Sequence, residues 1–168
     1  MHSEQIKSAL IAGVFSTFVL GFLAWLNYMG DYGIWLMAPF GATAVLVFGV
    51  PQSPLAKPKN VIGGHMLTAM IGVVFSYYSA DSAIMIGLAV GIAITLMMIT
   101  KTIHPAAGAN PILIIESSQS WDFLIMPVLA GTVFIVVCGF VATWFLELLI
   151  ETKHKKTAYA VSFILSTQ

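Results

Sequence analysis

Four stretches of the chain stay apolar for long enough to cross a bilayer: about 8–28, 61–80, 82–100 and 123–150. A hydrocarbon core of about 30 Å needs roughly 20 apolar residues in helix. Two further apolar stretches are short or interrupted. One runs from Ile34 to Val50 and contains "APFGAT"; the other is "HPAAGANPILII", residues 104–115. Such segments suit a re-entrant or discontinuous element as well as a full span. The pattern predicts an all-α polytopic membrane protein with one transmembrane domain over 1–156 and a tail over 157–168. That tail, "TAYAVSFILSTQ", reads as a short interfacial helix or an extended piece.

A shift of 67 residues lays "PFGATAVLVF" (39–48) on "AAGANPILII" (106–115), with Gly41 on Gly108, Ala42 on Ala109 and Leu46 on Leu113. The same ungapped shift lays "NVIGGH" (60–65) on "PVLAGT" (127–132), with Gly64 on Gly131. The interrupted segment recurs at the same place in each half, about 8–80 and 82–150. Each half is expected to run long helix, broken segment, long helix. Small and aliphatic residues also match by chance in membrane proteins, which is the alternative.

Charge then sets the orientation. Lysines stand at 7, 57, 59, 101, 153, 155 and 156, while the connections around Asp31, Asp81 and Glu116–Asp122 hold none. If both broken segments cross, every Lys falls on one side, which the positive-inside rule makes cytoplasmic. Three crossings per half is an odd number, so the halves would be inverted repeats, a recurrent transporter plan. Both termini would be cytoplasmic, in a membrane such as the bacterial inner (plasma) membrane. The run after "MHSEQIKS" is too long for a cleaved signal and is expected to be a retained first span.

Composition agrees. The chain is 59% hydrophobic and 8% charged, with mean hydropathy +0.95, against about 25% charged residues in an ordinary soluble domain. Net charge is zero and Arg is absent, which argues against nucleic acid as a partner. The lone Cys138 excludes an internal disulfide and a Cys-based metal cluster. The lipid bilayer is the expected environment, no cofactor or metal is expected, and a homo-oligomer is compatible with the sequence.

The broken segments carry the candidate chemistry. Non-helical backbone at membrane depth is tolerated only where it is buried in protein or lines a cavity. "HPAAGA" is expected to be extended and to lead into a short helix from Pro111 with Asn110 as its cap; Thr43 stands at the equivalent place. Gly41 and Gly108 would let the backbone bend and be approached closely. Two inverted half-helices would point their N–H groups at one midplane site, favouring an anion. The expected binding residues are Gly41, Ala42, Thr43, Ala44, Gly108, Ala109, Asn110 and Ile112. The alternative is that Pro and Gly only kink packed spans.

"HPAAGANPILII", preceded by "PFGATAVLVFGVPQSPLAKPKNVIGGH", resembles the HPP family of integral membrane proteins, named for a His-Pro-Pro motif usually continued as Ala-Gly-Ala. The resemblance covers roughly residues 8–150 and departs at Ala106, where the family has its second Pro. It implies a small-anion transporter, since members in cyanobacteria and chloroplasts are implicated in nitrite transport. The family is usually described with four spans; the six crossings expected here count the two broken segments as well.

His104 opens this motif and is a candidate for carrying a proton or gating the anion; otherwise it bonds a helix-end carbonyl. His65 is a second candidate, or bonds a neighbouring helix. Lys101 could attract anions to an inner vestibule, or anchor the span at the interface. His2 and His154 are expected to be solvated, and Glu147 and Glu151 to pair with Lys153 and Lys155. Trp25, Trp35, Trp121 and Trp144 suit an aromatic belt. Gly87 and Gly91 form a GxxxG that serves internal packing or a dimer. No Ser, His and acid grouping stands out, so an enzyme is not expected. The competing functions are a channel-like pore for small neutral solutes and a non-transporting membrane scaffold.

Overall fold

Helix covers every long apolar run. The computed structural model describes the backbone of residues 3–30, 34–78 and 82–166, and side-chain surroundings as far as residue 149. Asp31, Asp81, His2 and the side chains of Glu151, Lys153, His154, Lys155 and Lys156 lie outside the described residues. The long helices are α1 (Ser3–Met29), α3 (Pro58–Tyr78), α4 (Ala83–Ile99) and α6 (Ala130–Ser166). The broken segments give α2 (Pro39–Ala44), continued by a π turn over Val45–Gly49, and a 3₁₀ turn (Pro105–Ala109) followed by α5 (Asn110–Glu116). No strand occurs among the described residues. Among the described residues, four helices are long and apolar enough to span a membrane, with windows over Glu4–Met29, Pro58–Tyr78, Ala83–Thr100 and Leu124–Leu149. The backbone of α6 continues through Ser166, so most of the expected tail is an extension of that helix rather than a separate piece.

Burial divides the helices into two kinds. The apolar windows of α3 and of residues 124–149 are 44% buried, those of α1 and α4 only 11% and 17%. The first pair is therefore central and the second flanks it, presenting Phe18, Ile84 and Met98 outward. So much exposed apolar surface suits lipid rather than water. Gly87 and Gly91 belong to this outer face, and a Cβ at either meets nothing. They do not serve internal packing.

Two ladders of contacts track the broken segments along the long helices. Beside α3, the Asn60 side chain donates to the Ile103 carbonyl at 2.8 Å, Gly72 lies against Pro111 and Ile114, and Tyr77 stacks on Trp121 at 6.4 Å. The chain from 103 to 121 thus runs from one end of α3 to the other. The first segment leaves the far end of α1, where the Trp35 amide donates to Asn27 Oδ1 at 3.1 Å. It reaches Phe15 through Phe48, with ring centroids 6.2 Å apart, and passes Gly131 with Phe40 and Gly139 with Val47. By this path Lys7, Lys57, Lys59 and Lys101 fall at one end, and Glu116 and Asp122 at the other.

The contacts also keep the 67-residue register with the halves exchanged. Gly72 faces Ile114, and Gly139 faces Val47. Each broken segment therefore packs on the central helix of the other half. The glycines that permit close approach are Gly64, Gly72, Gly131 and Gly139. A Cβ at Gly41 or Gly108 meets nothing within 4 Å, and neither has a positive φ. Close packing of backbone on backbone is found on the long helices, while Gly41 and Gly108 face open space.

Candidate functional site

Three local features bring polar side chains together in the interior. The first is the end of α4. Thr102 N donates to Met97 O at 2.9 Å and Lys101 N to Met98 O at 3.3 Å, with Lys101 left-handed at φ 56. This is a Schellman-type termination. The exposed Lys101 ends the helix here, and a cation suits that negative dipole end. The chain then extends at His104 (φ −137, ψ 104), as the residue before a proline tends to.

The second feature is the 3₁₀ turn that follows. Pro105 fixes its own φ near −65°, and the small residues Ala106 to Ala109 permit the tight winding. Ala107 N donates to His104 O at 3.0 Å and Asn110 N to Ala107 O. "HPAAGA" is therefore coiled, not extended, beyond its first residue. Five residues at about 2 Å and seven at about 1.5 Å cover roughly 20 Å, and the turn to Trp121 completes the run along α3.

The third feature is Thr43, which sits inside α2 rather than at its start. Like Thr17, Thr95 and Thr143, it contacts the carbonyl four residues back, here Pro39 O at 3.1 Å. Unlike them, it also meets two imidazoles. Its Oγ1 lies 2.8 Å from His65 Nε2 and 3.0 Å from His104 Nε2.

Around this hydroxyl the cluster closes. His104 Nδ1 lies 2.8 Å from the Leu55 carbonyl. Asn110 Nδ2 lies 3.0 Å from His65 Nδ1, 3.1 Å from His65 O and 3.0 Å from Thr68 Oγ1. Thr68 in turn donates to Gly64 O at 2.9 Å. The imidazoles are 5.1 Å apart between centroids, and Phe40 meets His65 edge-on at 5.7 Å. Thr43, His65, Thr68 and His104 have no exposed surface, and Asn110 has 1%. One atom is left over: Asn110 Oδ1 is buried without a partner. A buried acceptor left unpaired costs about 1–3 kcal/mol.

Beside the cluster, on the side away from the lysines, a cavity of about 400 Å³ opens between the broken segments. It is lined by Ala38, Pro39, Ala109, Ile112, Leu113, Glu116 and Ser117. Pro39 connects it to Thr43 through the carbonyl already named.

Of the residues expected to bind ligand, Thr43 and Asn110 join His65 and His104 in one cluster, while Ala109 and Ile112 line the cavity. Gly41, Ala42, Ala44 and Gly108 contribute backbone and no polar contact. Neither Asn110 nor Thr43 caps a helix, and no side chain caps α2 or α5. The half-helix starts do not present a set of free amides either. Phe40 N and Gly41 N are taken by Met37 O and Ala38 O, and Asn110 N by Ala107 O. The physical reason is that each short helix is preceded by a residue already wound helically. Three participants were missed from the sequence: Thr68, Asn60 and the Leu55 carbonyl. Thr68 alone had a signal, standing three residues from His65 on the same helical face.

The profile of a protein family described as "HPP, transmembrane region" matches residues 1–147. A transmembrane protein of Dictyostelium discoideum is 32% identical over 150 residues, 84% of this chain and 48% of the relative. A second from the same organism is 36% identical over 118 residues, 66% of this chain and 41% of the relative. The chain thus spans less than half the length of these curated relatives. No solved structure matches.

Proposed function

The chain belongs to the HPP transmembrane family, and on that premise we propose that it is a proton-linked permease for a small inorganic anion of the nitrite type. The observation that carries this is the pair of imidazoles, His65 and His104, joined through Thr43 between the two crossing segments. No carboxylate accompanies them in the cluster. Any charge the cluster gains is therefore positive, which suits an anion and disfavours a cation.

The substrate would enter the cavity beside Ala109 and Ile112, with Thr43 and Asn110 behind its wall. Glu116 at the rim is exposed, where water screens its charge. The paired segments act as inverted repeats, and the lysine-bearing end is cytoplasmic. The mostly apolar cavity lining supports the second reading, a pore for small neutral solutes.

Purified protein in vesicles loaded with a pH-sensitive dye decides between them. The permease reading expects saturable nitrite uptake accompanied by internal acidification, both rising as the outer pH is lowered. Nitrite flux no greater than in protein-free vesicles rejects it. Rapid swelling in glycerol without proton movement selects the pore.

A further inference from the structure

The hydrogen bonds of the buried cluster can be given a direction, and only one end needs to be known. A carbonyl only accepts, so His104 Nδ1, at 2.8 Å from Leu55 O, carries a hydrogen. In a neutral imidazole the other nitrogen is then an acceptor. Thr43 therefore donates its single hydroxyl hydrogen to His104 Nε2. His65 Nε2, also facing Thr43 Oγ1, must donate to it. His65 Nδ1 is left as an acceptor and receives the Asn110 amide hydrogen. The resulting string runs Asn110 → His65 → Thr43 → His104 → Leu55 O, and every donor in it is used. Were Thr43 to donate to Pro39 O instead, His104 Nε2 would be buried without a partner.

We propose that this string is a proton relay, in which the Thr43 hydroxyl passes a proton from His65 to His104 and the Asn110 amide turns to admit it. The proposal rests on the proton-linked reading above. The step begins when the Asn110 amide turns its hydrogen away from His65 Nδ1, and a hydronium ion from the cavity side gives its proton to the lone pair so freed and leaves as water. An N–H bond forms there. The Nε2–H bond of His65 breaks as its proton moves to Thr43 Oγ1, and the original hydroxyl proton moves to His104 Nε2. Thr43 ends as it began, with one hydroxyl hydrogen. One positive charge has moved from His65 to His104, toward the lysine-bearing end. His104 gives up its Nδ1 proton to water when the Leu55 carbonyl withdraws.

After the hop, His65 presents an N–H at Nδ1, against which the Asn110 amide hydrogen would clash. The half-turn that places Oδ1 there restores this bond and gives up the Nδ2 bond to the His65 carbonyl. Oδ1 is the atom that has no partner in the resting arrangement. The unpaired acceptor is thereby used in the second state of the switch.

The elements packed around the string leave it electrostatically alone. Neither α2, α4, the 3₁₀ turn over Pro105–Ala109 nor the one over Pro54–Ala56 has a titratable side chain, and the described side chains of α6 add half-buried Cys138 and exposed Glu147. Within α5 the one such group is Glu116, exposed at its far end; α3 adds Lys59, exposed at its start, and Tyr77 and Tyr78 at its end. Lys57 and Lys101 flank the Leu55 end and are exposed. The two imidazoles are thus the groups in the string able to hold the proton.

Histidine-¹⁵N NMR of the protein in lipid tests the wiring without any transport. At high pH the expected tautomers are Nδ1–H for His104 and Nε2–H for His65, assigned by comparison with His104→Gln. On acidification His104 should become doubly protonated while His65 changes to Nδ1–H. A His65 that keeps Nε2–H while His104 charges overturns the relay. In vesicles, Thr43→Val should lower nitrite-driven proton flux by at least about a hundredfold, the low end for a positioned proton-transfer group, and Thr43→Ser should restore it. An undiminished nitrite-driven proton flux in folded Thr43→Val also overturns it. A tautomer change in a wild-type protein that moves no nitrite upholds the relay and sinks the anion reading alone.

Discussion

Gly64→Ala should loosen the buried cluster from a position that holds no polar atom. The added Cβ would lie 2.8 Å from the Thr102 carbonyl oxygen, 3.0 Å from His104 Cβ and 3.5 Å from Met97 Sδ. Ordinary van der Waals contact starts near 3.4 Å, so residues 102–104 must retreat by roughly half an ångström. Backbone cannot swing aside as a flexible side chain does, and such overpacking costs about 1–3 kcal/mol. The same retreat lengthens the 3.0 Å contact between Thr43 and His104 toward the limit of a hydrogen bond. Its loss adds about 0.5–1.5 kcal/mol. Alanine in a helix interior returns about 0.5–1 kcal/mol. The net expectation is a loss of about 0.5–4 kcal/mol. Gly108→Ala is the control, since its Cβ meets nothing. Reversible unfolding in mixed micelles with increasing SDS would compare the two. Equal midpoints would refute the argument, because both substitutions add the same methyl group and differ only in what it touches.

Asn110→Ala removes the donor to His65 and Thr68, leaving acceptors unpaired at a cost of about 1–3 kcal/mol. Because the loss is in a shared network, its cycle with Thr68→Val should be non-additive by at least about 0.5 kcal/mol, and additive unfolding energies would place the two residues in separate networks. In a Cys138→Ser background, cysteines at Lys59 and Lys101 should react with an impermeant reagent from one face of the membrane, and cysteines at Ser117 and Asp122 from the other. Labelling of position 59 and position 122 from the same face would mean that the broken segments do not carry the chain across.

The four long helices were legible because a 20-residue apolar run has few alternatives in a bilayer. The two broken segments were legible as interruptions, and His65, His104, Thr43 and Asn110 stood out as polar residues in apolar surroundings. Their meeting was not legible. Hydrogen bonds across 22, 45 and 61 positions of sequence leave no mark in local periodicity. The capping roles assigned to Asn110 and Thr43 failed for a related reason. Propensity favours such residues at helix starts, but a buried imidazole nearby competes for the same side chain. Lys101 showed the converse. Its positive charge suggested orientation, while its left-handed backbone at the end of α4 appeared only in three dimensions. Close approach at Gly64 and Gly131 was likewise invisible, since glycines of equal appearance at 41 and 108 face open space.

The exchange of partners between the halves bears on how the chain is made. Phe40 and Val47 settle against Gly131 and Gly139, roughly ninety residues later in the chain. At synthesis rates of about 5–20 residues per second, the first broken segment waits on the order of 5–20 s for the surface it will rest on. It is too short to be stable alone in hydrocarbon, where the free backbone groups at its ends find no partner. During that interval it must stay in the insertion machinery, at the interface, or against a temporary partner. Biogenesis, more than the finished structure, is then where this protein is most exposed to failure. Substitutions in α6 that leave the first half untouched would be felt first as degradation of the nascent chain.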